Sequence, residues 1–101
     1  MKTMETSVST RRRRFIQRSR LDIIACILSN AENGSRKTRL IYQCNLSVSQ
    51  FNKYAASLLD GGLIETQISG KKIVTFYTTQ KGKEFLQDYQ KIHQVLETMG
   101  F

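Results

Sequence analysis

The sequence predicts a mainly α-helical domain that carries one small β-hairpin. Several segments place apolar residues three or four positions apart, which is typical of helices that pack one face on a core. A short segment rich in Val, Ile, Thr, Phe and Tyr precedes the last of these and contains a glycine turn, as a hairpin does. The length of 101 residues and the hydrophobic content of 40% suit a single domain with one small core.

The central prediction is a helix that begins after Ser47 and ends at Gly61 and Gly62. Ser47 and Gln50 have the spacing of a capping box, in which each side chain satisfies a backbone amide at a helix start. Glycine readily adopts the positive φ that ends a helix. The expected core face comprises Phe51, Tyr54, Ala55, Leu58 and Leu59, with Val48 extending it by one turn. The opposite face, almost without negative charge and suited to base edges and phosphates, comprises Ser49, Gln50, Asn52, Lys53 and Ser57.

A shorter helix is predicted from Thr38, its expected cap, to Cys44, with Leu40 and Ile41 pointing inward. Two helices joined by a turn of about three or four residues form a helix-turn-helix. The residues that crowd the N-terminus of the shorter helix are basic, namely Arg36, Lys37 and Arg39. Because the helix dipole disfavours positive charge at that end, a DNA phosphate bound there would relieve the conflict. A solvated basic turn is the alternative.

An earlier helix is expected from Ser19 to about Asn33, because Ser19 and Asp22 form a weaker variant of the capping box. Its predicted core face comprises Leu21, Ile24, Ile27, Leu28 and Ala31, with Ile23 beside it. Residues 35–37, between this helix and the next, could form a brief strand.

Residues 63–79 have the pattern of two strands joined at Ser69 and Gly70, with Lys71 and Lys72 at the tip. A hairpin with a basic tip beside a DNA-reading helix is a wing, which reaches the adjacent minor groove or the backbone. The alternative is an ordinary hairpin whose lysines only keep it soluble.

The last predicted helix runs from Thr79, its expected N-cap, to Met99. Gly82 in its first turn is a predicted weak point, because glycine costs ~1 kcal/mol against alanine inside a helix. A 4-3-4-3 spacing, typical of the seam of a coiled coil, relates Phe85, Tyr89, Ile92, Leu96 and Met99. Self-association through this stripe is the favoured interpretation, and packing on the chain's own domain is the alternative. His93 is interpreted as a packing residue beside the seam.

The net charge of +8 belongs to the front of the molecule. Residues 11–53 contain ten Lys or Arg and two acidic residues, a balance of +8, so the other segments sum to zero. A basic region indicates nucleic-acid binding, although binding to anionic lipids or a general need for solubility can also explain it.

Residues 1–18 lack apolar periodicity and are expected to form a mobile arm. Its arginines 11–14 would follow phosphates or enter an A/T-rich minor groove. A solvated tail is the alternative.

The two cysteines and the single histidine argue against a metal site. Cys26 and Cys44 lie on different predicted helices without a CxxC spacing, so buried free thiols are expected. A disulfide bond between them is still possible if the protein comes from a hyperthermophile.

The sequence also argues against an enzyme, a cofactor or a small-molecule substrate. It has no paired carboxylates at a plausible spacing, no Gly-rich phosphate loop and no nucleophile next to a base. The longest apolar run, residues 23–28, is far shorter than the ~20 residues of a membrane span, so a soluble cytoplasmic protein without a membrane partner is expected.

Four stretches of the chain carry a family resemblance, namely RSRLDIIACIL, KTRLIYQCNLS, FNKYAASLLDGGLIE and YTTQKGKEFL. They resemble the small archaeal winged-helix DNA-binding proteins that dimerise through a C-terminal coiled-coil helix, a group found in archaeal chromatin and in archaeal viruses. The resemblance implies a dimer with the second helix of the helix-turn-helix in the major groove and the wings outside. It also implies an archaeal or archaeal-virus source. The long arginine-rich arm and the short terminal helix depart from the family pattern.

The sequence thus predicts a winged helix-turn-helix with a flexible arm at 1–18, a DNA-binding domain at 19–79 and a C-terminal dimerisation helix at 80–101. The predicted function is that of a homodimeric, sequence-specific double-stranded DNA-binding protein that regulates transcription. An architectural chromatin protein and a protein interaction module are the alternatives. The predicted DNA contacts are Arg11, Arg12, Arg13, Arg14, Arg36, Lys37, Thr38, Arg39, Ser47, Ser49, Gln50, Asn52, Lys53, Ser69, Lys71 and Lys72. The predicted dimer contacts are Phe85, Tyr89, Ile92, Leu96 and Met99.

Overall fold

The structure, a computed structural model, describes residues 18–100. In this part of the chain the elements follow in the order α1 (Arg20–Asn30), α2 (Lys37–Gln43), α3 (Val48–Asp60), β1 (Ile64–Ile68), β2 (Val74–Thr78) and α4 (Gln80–Thr98). The two strands pair antiparallel. The predicted class, mainly α with a small hairpin and a long C-terminal helix, is confirmed. The arginines 11–14 of the predicted arm lie outside the described residues.

The core lies where the first three helices meet the hairpin and the start of α4. Its most deeply buried side chains are Ile27, Leu28, Leu40, Cys44 and Phe51. The Phe51 ring of α3 packs edge-on against Phe76 of β2 with the ring centroids 5.5 Å apart, a geometry that aromatic pairs favour. The helix α3 and the hairpin are therefore joined through the core.

The helix α1 begins as predicted but is shorter and exposes one expected core residue. The capping box of Ser19 and Asp22 is present, and the helix ends at Asn30. Leu21, predicted to be buried, is 51% exposed, whereas Ile23, Ile27, Leu28 and Ala31 are buried and Ile24 is partly buried. The prediction for Leu21 is wrong because this first turn lies at the edge of the core, where Leu21 lines an open cavity against α4 and is not covered by it.

The short segment before α2 forms a single bridge to the hairpin. The N–H of Ser35 donates to the carbonyl of Phe76 at 2.9 Å, and the N–H of Phe76 donates back to Ser35 at 2.8 Å. This bridge keeps the chain extended through Arg36, at φ −81° and ψ 158°. The helix α2 consequently begins at Lys37, and Thr38 lies exposed inside it. The prediction that Thr38 caps α2 is therefore wrong.

The turn between α2 and α3 begins with a Schellman motif. Asn45 adopts φ 53°, and its N–H donates to the carbonyl of Tyr42 at 3.2 Å. The N–H of Leu46 donates to the carbonyl of Ile41 at 3.0 Å. Leu46 then precedes the N-cap of α3 and shares the core with Phe51, so the two residues have the positions of a hydrophobic staple. The motif orients α3 relative to α2.

The helix α3 begins and ends where it was predicted. The Ser47 hydroxyl accepts the N–H of Gln50 at 3.0 Å, and the Gln50 side chain accepts the N–H of Ser47 in return. Gly62 adopts φ 77° just after the helix. The buried residues are Phe51, Ala55 and Leu58. Val48 and Leu59, predicted for the same stripe, are 57% and 40% exposed, because both lie on its flank where the core does not reach.

The helix α4 is attached to the body through its first turn. Thr79 is the N-cap, as predicted, and its hydroxyl accepts the N–H of Gly82 at 3.1 Å. Gly82 is buried, and a Cβ atom added to it would lie 2.3 Å from the carbonyl oxygen of Leu63. The absence of a side chain is therefore what allows the helix to approach the chain after α3. Within the described residues, no helix is long and apolar enough to cross a membrane.

Candidate nucleic-acid interface

The outward face of α3 is polar and accessible. Ser49, Asn52 and Lys53 are exposed, and so are the capping residues Ser47 and Gln50. The apolar stripe holds the other side of the helix against the core, so these five side chains project from the body. Such a surface offers hydroxyl and amide groups and one positive charge to a ligand.

One of the predicted base-reading side chains is already engaged within the protein. The carboxamide oxygen of Gln50 accepts the N–H of Ser47 at 3.0 Å. A bidentate contact to adenine uses both the oxygen and the nitrogen of an amide. In this conformation the oxygen is held toward the start of the helix and one of its two lone pairs is already used. Asn52 lies outside the capping box and is exposed, which makes it the better placed amide for such a contact.

Basic side chains flank α3 on the side of α2. Arg36 and Arg39 are exposed, together with Thr38, and Lys37 is partly buried. The side chain of the N-cap Arg36 makes no capping hydrogen bond, and the first turn of α2 contains no acidic residue. The charge conflict predicted from the sequence is therefore present in the structure.

The hairpin carries its basic residues at the tip. The N–H of Lys72 donates to the carbonyl of Ser69 at 2.9 Å, and the N–H of Ser69 donates to Ile73 at 3.0 Å. Lys72 adopts φ 61°, a left-handed conformation that costs a non-glycine residue roughly 1–2 kcal/mol. Ser69 and Lys71 are exposed along with Lys72. The turn therefore presents two adjacent ammonium groups at the end of the hairpin.

Arg18 holds the turn of the helix-turn-helix in place, a role that the sequence analysis missed by assigning it to the arm. Its guanidinium group donates to the carbonyl of Cys44 at 2.6 Å and to that of Asn45 at 3.2 Å. These carbonyls stand at the end of α2, where backbone acceptors lack partners within the helix. Because Arg18 lies 26 residues before Cys44, no local pattern in the sequence indicates this role.

A second arginine, Arg20, lines a cleft between α1 and α3. The cleft has a volume of about 430 Å³ and is lined by Arg20, Ile24, Gln50, Lys53, Tyr54 and Ser57. It contains two cationic side chains and no acidic one. The basic surface around α3 therefore extends onto the start of α1, which the sequence analysis did not predict.

The end of α3 is bound to the start of α4. The Thr79 hydroxyl donates to the carbonyl of Gly62 at 2.6 Å, and the Lys81 ammonium donates to that of Gly61 at 2.9 Å. The N–H of Thr79 donates to Leu63 at 3.0 Å. These three bonds link the polar helix to the long C-terminal helix at one point.

The predicted dimer stripe divides into two parts. Phe85 and Tyr89 are partly buried and pack against the chain's own core. The rest of the stripe is exposed: Ile92 is 60%, Leu96 43% and Met99 63% exposed. Val95, which the sequence analysis did not include, adds a side chain that is 57% exposed. The last two turns of α4 thus carry an apolar face without a partner among the described residues.

A polar contact joins α1 and α4 below this stripe. The Tyr89 hydroxyl donates to the carboxylate of Asp22. This bond, with the N–H of Ser19, holds the pKa of Asp22 below its usual value, and it raises the pKa of Tyr89. His93 is exposed, with its ring centroid 5.9 Å from that of Tyr89 and its Nδ1 atom 3.7 Å from the Glu97 carboxylate. It lies beside the stripe, as predicted.

Both cysteines are free thiols that pack between α1 and α2. The side-chain nitrogen of Asn30 lies 3.5 Å from the Cys26 sulfur and 4.0 Å from the Cys44 sulfur. Burial raises the pKa of Cys44 to about 12, and the neighbouring Cys26 adds to the rise. Cys44 is therefore a protonated packing residue at neutral pH. Among residues 18–100, no cluster of three or more potential metal ligands occurs.

Comparison with known proteins agrees with this architecture. A family model described as a winged helix-turn-helix matches residues 17–97. An uncharacterised protein of Methanocaldococcus jannaschii is 31% identical over 90 residues, which are 88% of this chain and 84% of that protein.

Two solved structures share the fold at low sequence identity. Sso10a-2, described as a DNA-binding protein from Sulfolobus solfataricus, superposes with a TM-score of 0.73 at 23% identity, over 81% of this chain and 85% of that one. ZitR of Lactococcus lactis superposes with a TM-score of 0.66 at 17% identity, over 83% of this chain but only 59% of that one. ZitR, a member of the MarR family, has also been solved in complex with DNA.

In this chain α2 and α3 form the helix-turn-helix, β1 and β2 form the wing, and Ser35 adds the single bridge beside it. The order of these elements and the match of the family model over residues 17–97 lead to the same assignment. The chain belongs to the winged helix-turn-helix family.

Proposed function

We propose that the protein is a homodimeric, sequence-specific double-stranded DNA-binding protein that regulates transcription in the cytoplasm. The observation that carries this proposal is the outward face of α3, where Ser49, Asn52 and Lys53 are exposed, in a domain whose α2 and wing also expose basic side chains. Amide, hydroxyl and ammonium groups match the base edges of the major groove, and flanking cations match the phosphates beside it.

The two kinds of contact come from different elements. Arg36, Lys37, Thr38 and Arg39 of α2 hold the backbone on one side of the groove, and the wing holds it on the other through Ser69, Lys71 and Lys72. The face of α3 reads bases, with Ser47 and Ser49 near the start of the helix and Asn52 and Lys53 one turn on. The arginines 11–14 add contacts to phosphates or to an A/T-rich minor groove, where a narrow groove attracts guanidinium groups.

The exposed part of the α4 stripe supports a dimer. Ile92, Val95, Leu96 and Met99 have the spacing of one helical face, and all four are at least 43% exposed. A contiguous exposed apolar face on a helix that extends beyond the body is typical of a protein interface. A second copy of the same helix buries it in a symmetric way. The bonds of Thr79 and Lys81 to the end of α3 would then set the distance between the two reading helices.

Sequence specificity is supported by the small number of charges on the reading face. A protein that binds only the backbone needs cations there, whereas α3 offers uncharged polar groups with a single lysine. The relatives support the same class: Sso10a-2 is described as a DNA-binding protein, and ZitR belongs to a family of transcriptional regulators. A twofold dimer predicts a pseudo-palindromic site with half-sites about one helical turn apart.

The test is selection of bound duplexes from a random pool, followed by titration of the enriched duplex at two salt concentrations. Asn52→Ala is expected to lose roughly 5- to 100-fold in affinity for the enriched sequence and to broaden the selected motif. Lys71→Ala is expected to weaken binding to all duplexes alike. Because a dimer loses one phosphate contact per protomer, the slope of log K against log salt should fall in magnitude by about 1.8. Lys83→Ala, which removes an exposed lysine from α4, is the matched control and should change neither quantity.

Each alternative predicts its own result. Selection without an enriched motif would support an architectural protein instead of a regulator. No duplex binding at low salt, where the electrostatic attraction is strongest, would contradict DNA binding altogether and favour a protein interaction module.

Dimerisation is tested separately by analytical ultracentrifugation. The parent chain is expected to sediment with twice the chain mass, and Leu96→Lys to sediment as a monomer, because the substitution places a charge in the apolar face. Gln87→Lys adds the same charge at an exposed position off the stripe and should stay dimeric. A parent chain that sediments as a monomer at micromolar concentration would refute the dimer.

A further inference from the structure

Val48 is exposed, although the sequence pattern predicted it to be buried. Its spacing placed it in the core stripe of α3, yet its side chain is 57% exposed at the first residue of the helix. An apolar, β-branched side chain at such a position contributes little to helix formation. Its exposed side chain is therefore free to contact a ligand.

The structural roles that an apolar residue has near a helix start are filled by other side chains. Leu46, before the N-cap, and Phe51, in the second turn, have the positions of the hydrophobic staple, and both are buried in the core. Ala55 and Leu58 continue the core face from Phe51. Val48 belongs to neither group.

The neighbours of Val48 on the surface are the residues of the reading face. Asn52 lies one turn further along α3, about 40° around the helix axis from Val48, and Ser49 is the next residue in the chain. Both are exposed. The isopropyl group of Val48 therefore stands at the leading end of the surface on which Asn52 lies.

We propose that Val48 is a specificity residue that contacts the C5-methyl group of a thymine in the major groove. This inference rests on the proposed function and adds one base to it. Among the four bases only thymine carries a methyl group at the major-groove edge, and apolar side chains recognise it by contact. A valine offers two methyl groups for this contact and no hydrogen-bonding group that suits another base.

The position of the thymine follows from the helix. Four residues separate Val48 from Asn52, a rise of about 6 Å along the helix axis. Successive base pairs are about 3.4 Å apart. When α3 lies along the groove, the thymine is therefore within about two base pairs of the adenine that Asn52 contacts.

The expected effect is that of one buried methyl group. Removing a methyl group from an apolar contact costs ~0.8 kcal/mol, which corresponds to about a fourfold loss in affinity. Deoxyuridine differs from thymidine only by this methyl group and pairs in the same way, so replacing one thymine at a time isolates the contact without changing any hydrogen bond.

The experiment measures the Kd of the parent, Val48→Ala and Val74→Ala for the duplex enriched by selection and for its single thymine-to-uracil replacements. Val74 is an exposed valine of β2 and serves as the control. We expect the parent and Val74→Ala to lose about fourfold in affinity when one particular thymine of a half-site is replaced by uracil. That thymine should lie within two base pairs of the position where Asn52→Ala broadens the selected motif. Val48→Ala, whose one methyl group reaches less far, should show a clearly smaller loss of affinity at that uracil than the parent.

Two results would overturn the inference while leaving the proposed function intact: a parent protein that binds every uracil duplex like the original, or a Val48→Ala variant that keeps the full uracil penalty. Absence of an enriched motif would refute specific binding and this inference together. Thermal unfolding of Val48→Ala checks that the variant is folded, and an exposed valine replaced by a better helix former should leave stability unchanged within about 0.5 kcal/mol.

Discussion

The substitution Gly82→Ala distinguishes helix propensity from tertiary contact, because the two predict changes in unfolding free energy of opposite sign. On propensity alone, alanine in the first turn of α4 should stabilise the helix by about 1 kcal/mol. In the structure, however, the added Cβ atom would lie 2.3 Å from the carbonyl oxygen of Leu63 and 2.6 Å from a methyl group of Thr78. The carbonyl belongs to the backbone and cannot rotate away.

The magnitude follows from what must move. A Cβ atom ordinarily stays at least about 3.4 Å from such an oxygen, so α4 and the chain at Leu63 must separate by roughly 1 Å. Overpacking of this kind costs typically about 1–3 kcal/mol. The same carbonyl accepts the N–H of Thr79 at 3.0 Å, and loss of that bond adds about 1 kcal/mol. Because alanine gains about 1 kcal/mol in helix propensity, the net loss in unfolding free energy is about 1–3 kcal/mol.

Urea denaturation followed by circular dichroism at one protein concentration measures this loss. In a thermal melt the melting temperature should fall by roughly 4–24 °C. Gly70→Ala is the control, because a Cβ atom at Gly70 meets nothing within 4 Å. Its stability should stay the same or rise by up to about 1 kcal/mol. A Gly82→Ala variant at least as stable as the parent would refute the steric argument.

Two further predictions concern the contacts that hold α1. The pKa of Asp22 is lowered because the folded state stabilises its ionised form. The ionised carboxylate therefore contributes to the unfolding free energy above the unfolded pKa of about 3.8, and this contribution is lost as the pH falls through the folded pKa. Asp22→Asn and Tyr89→Phe should each lose about 1 kcal/mol of unfolding free energy at pH 7, and urea unfolding curves should show that this loss shrinks below about pH 4. A loss that does not depend on pH would contradict the role of the ionised carboxylate. Arg18→Ala should lose about 2 kcal/mol of unfolding free energy, because two carbonyls at the end of α2 lose their charged hydrogen-bond donor. Arg20→Ala, two residues away and exposed, should lose no more than about 0.5 kcal/mol, and equal losses for both arginines would show that the bonds of Arg18 do not matter.

The sequence patterns that predicted the fold correctly are the local ones. Ser47 with Gln50 and Ser19 with Asp22 form the two capping boxes at the positions expected from their three-residue spacing. Gly62 ends α3 with a positive φ. In each case the groups that interact are within a few residues of one another, so the chain needs no distant partner to form them.

The candidate site was predicted in part for the same reason. The polar face of α3 and the basic tip of the wing follow from spacing within one element, and both are exposed in the structure. The capping role of Gln50 was predicted too, and the structure shows that this bond holds the side-chain oxygen toward the start of the helix. The contacts of Arg18 and the cleft at Arg20 join residues far apart in the chain, and no local pattern indicates them.

By itself, the sequence determined the capped starts of α1, α3 and α4, which faces are apolar and where positive charge accumulates, because these properties depend on neighbouring residues. Only the tertiary structure decided how far each apolar stripe is covered: Leu21 and Val48 have the right period for the core and lie outside it. It also turned Gly82 from a weak point into a point of close approach. Periodicity gives the direction in which a side chain points, but burial depends on whether another element stands there, and that is a property of the whole chain.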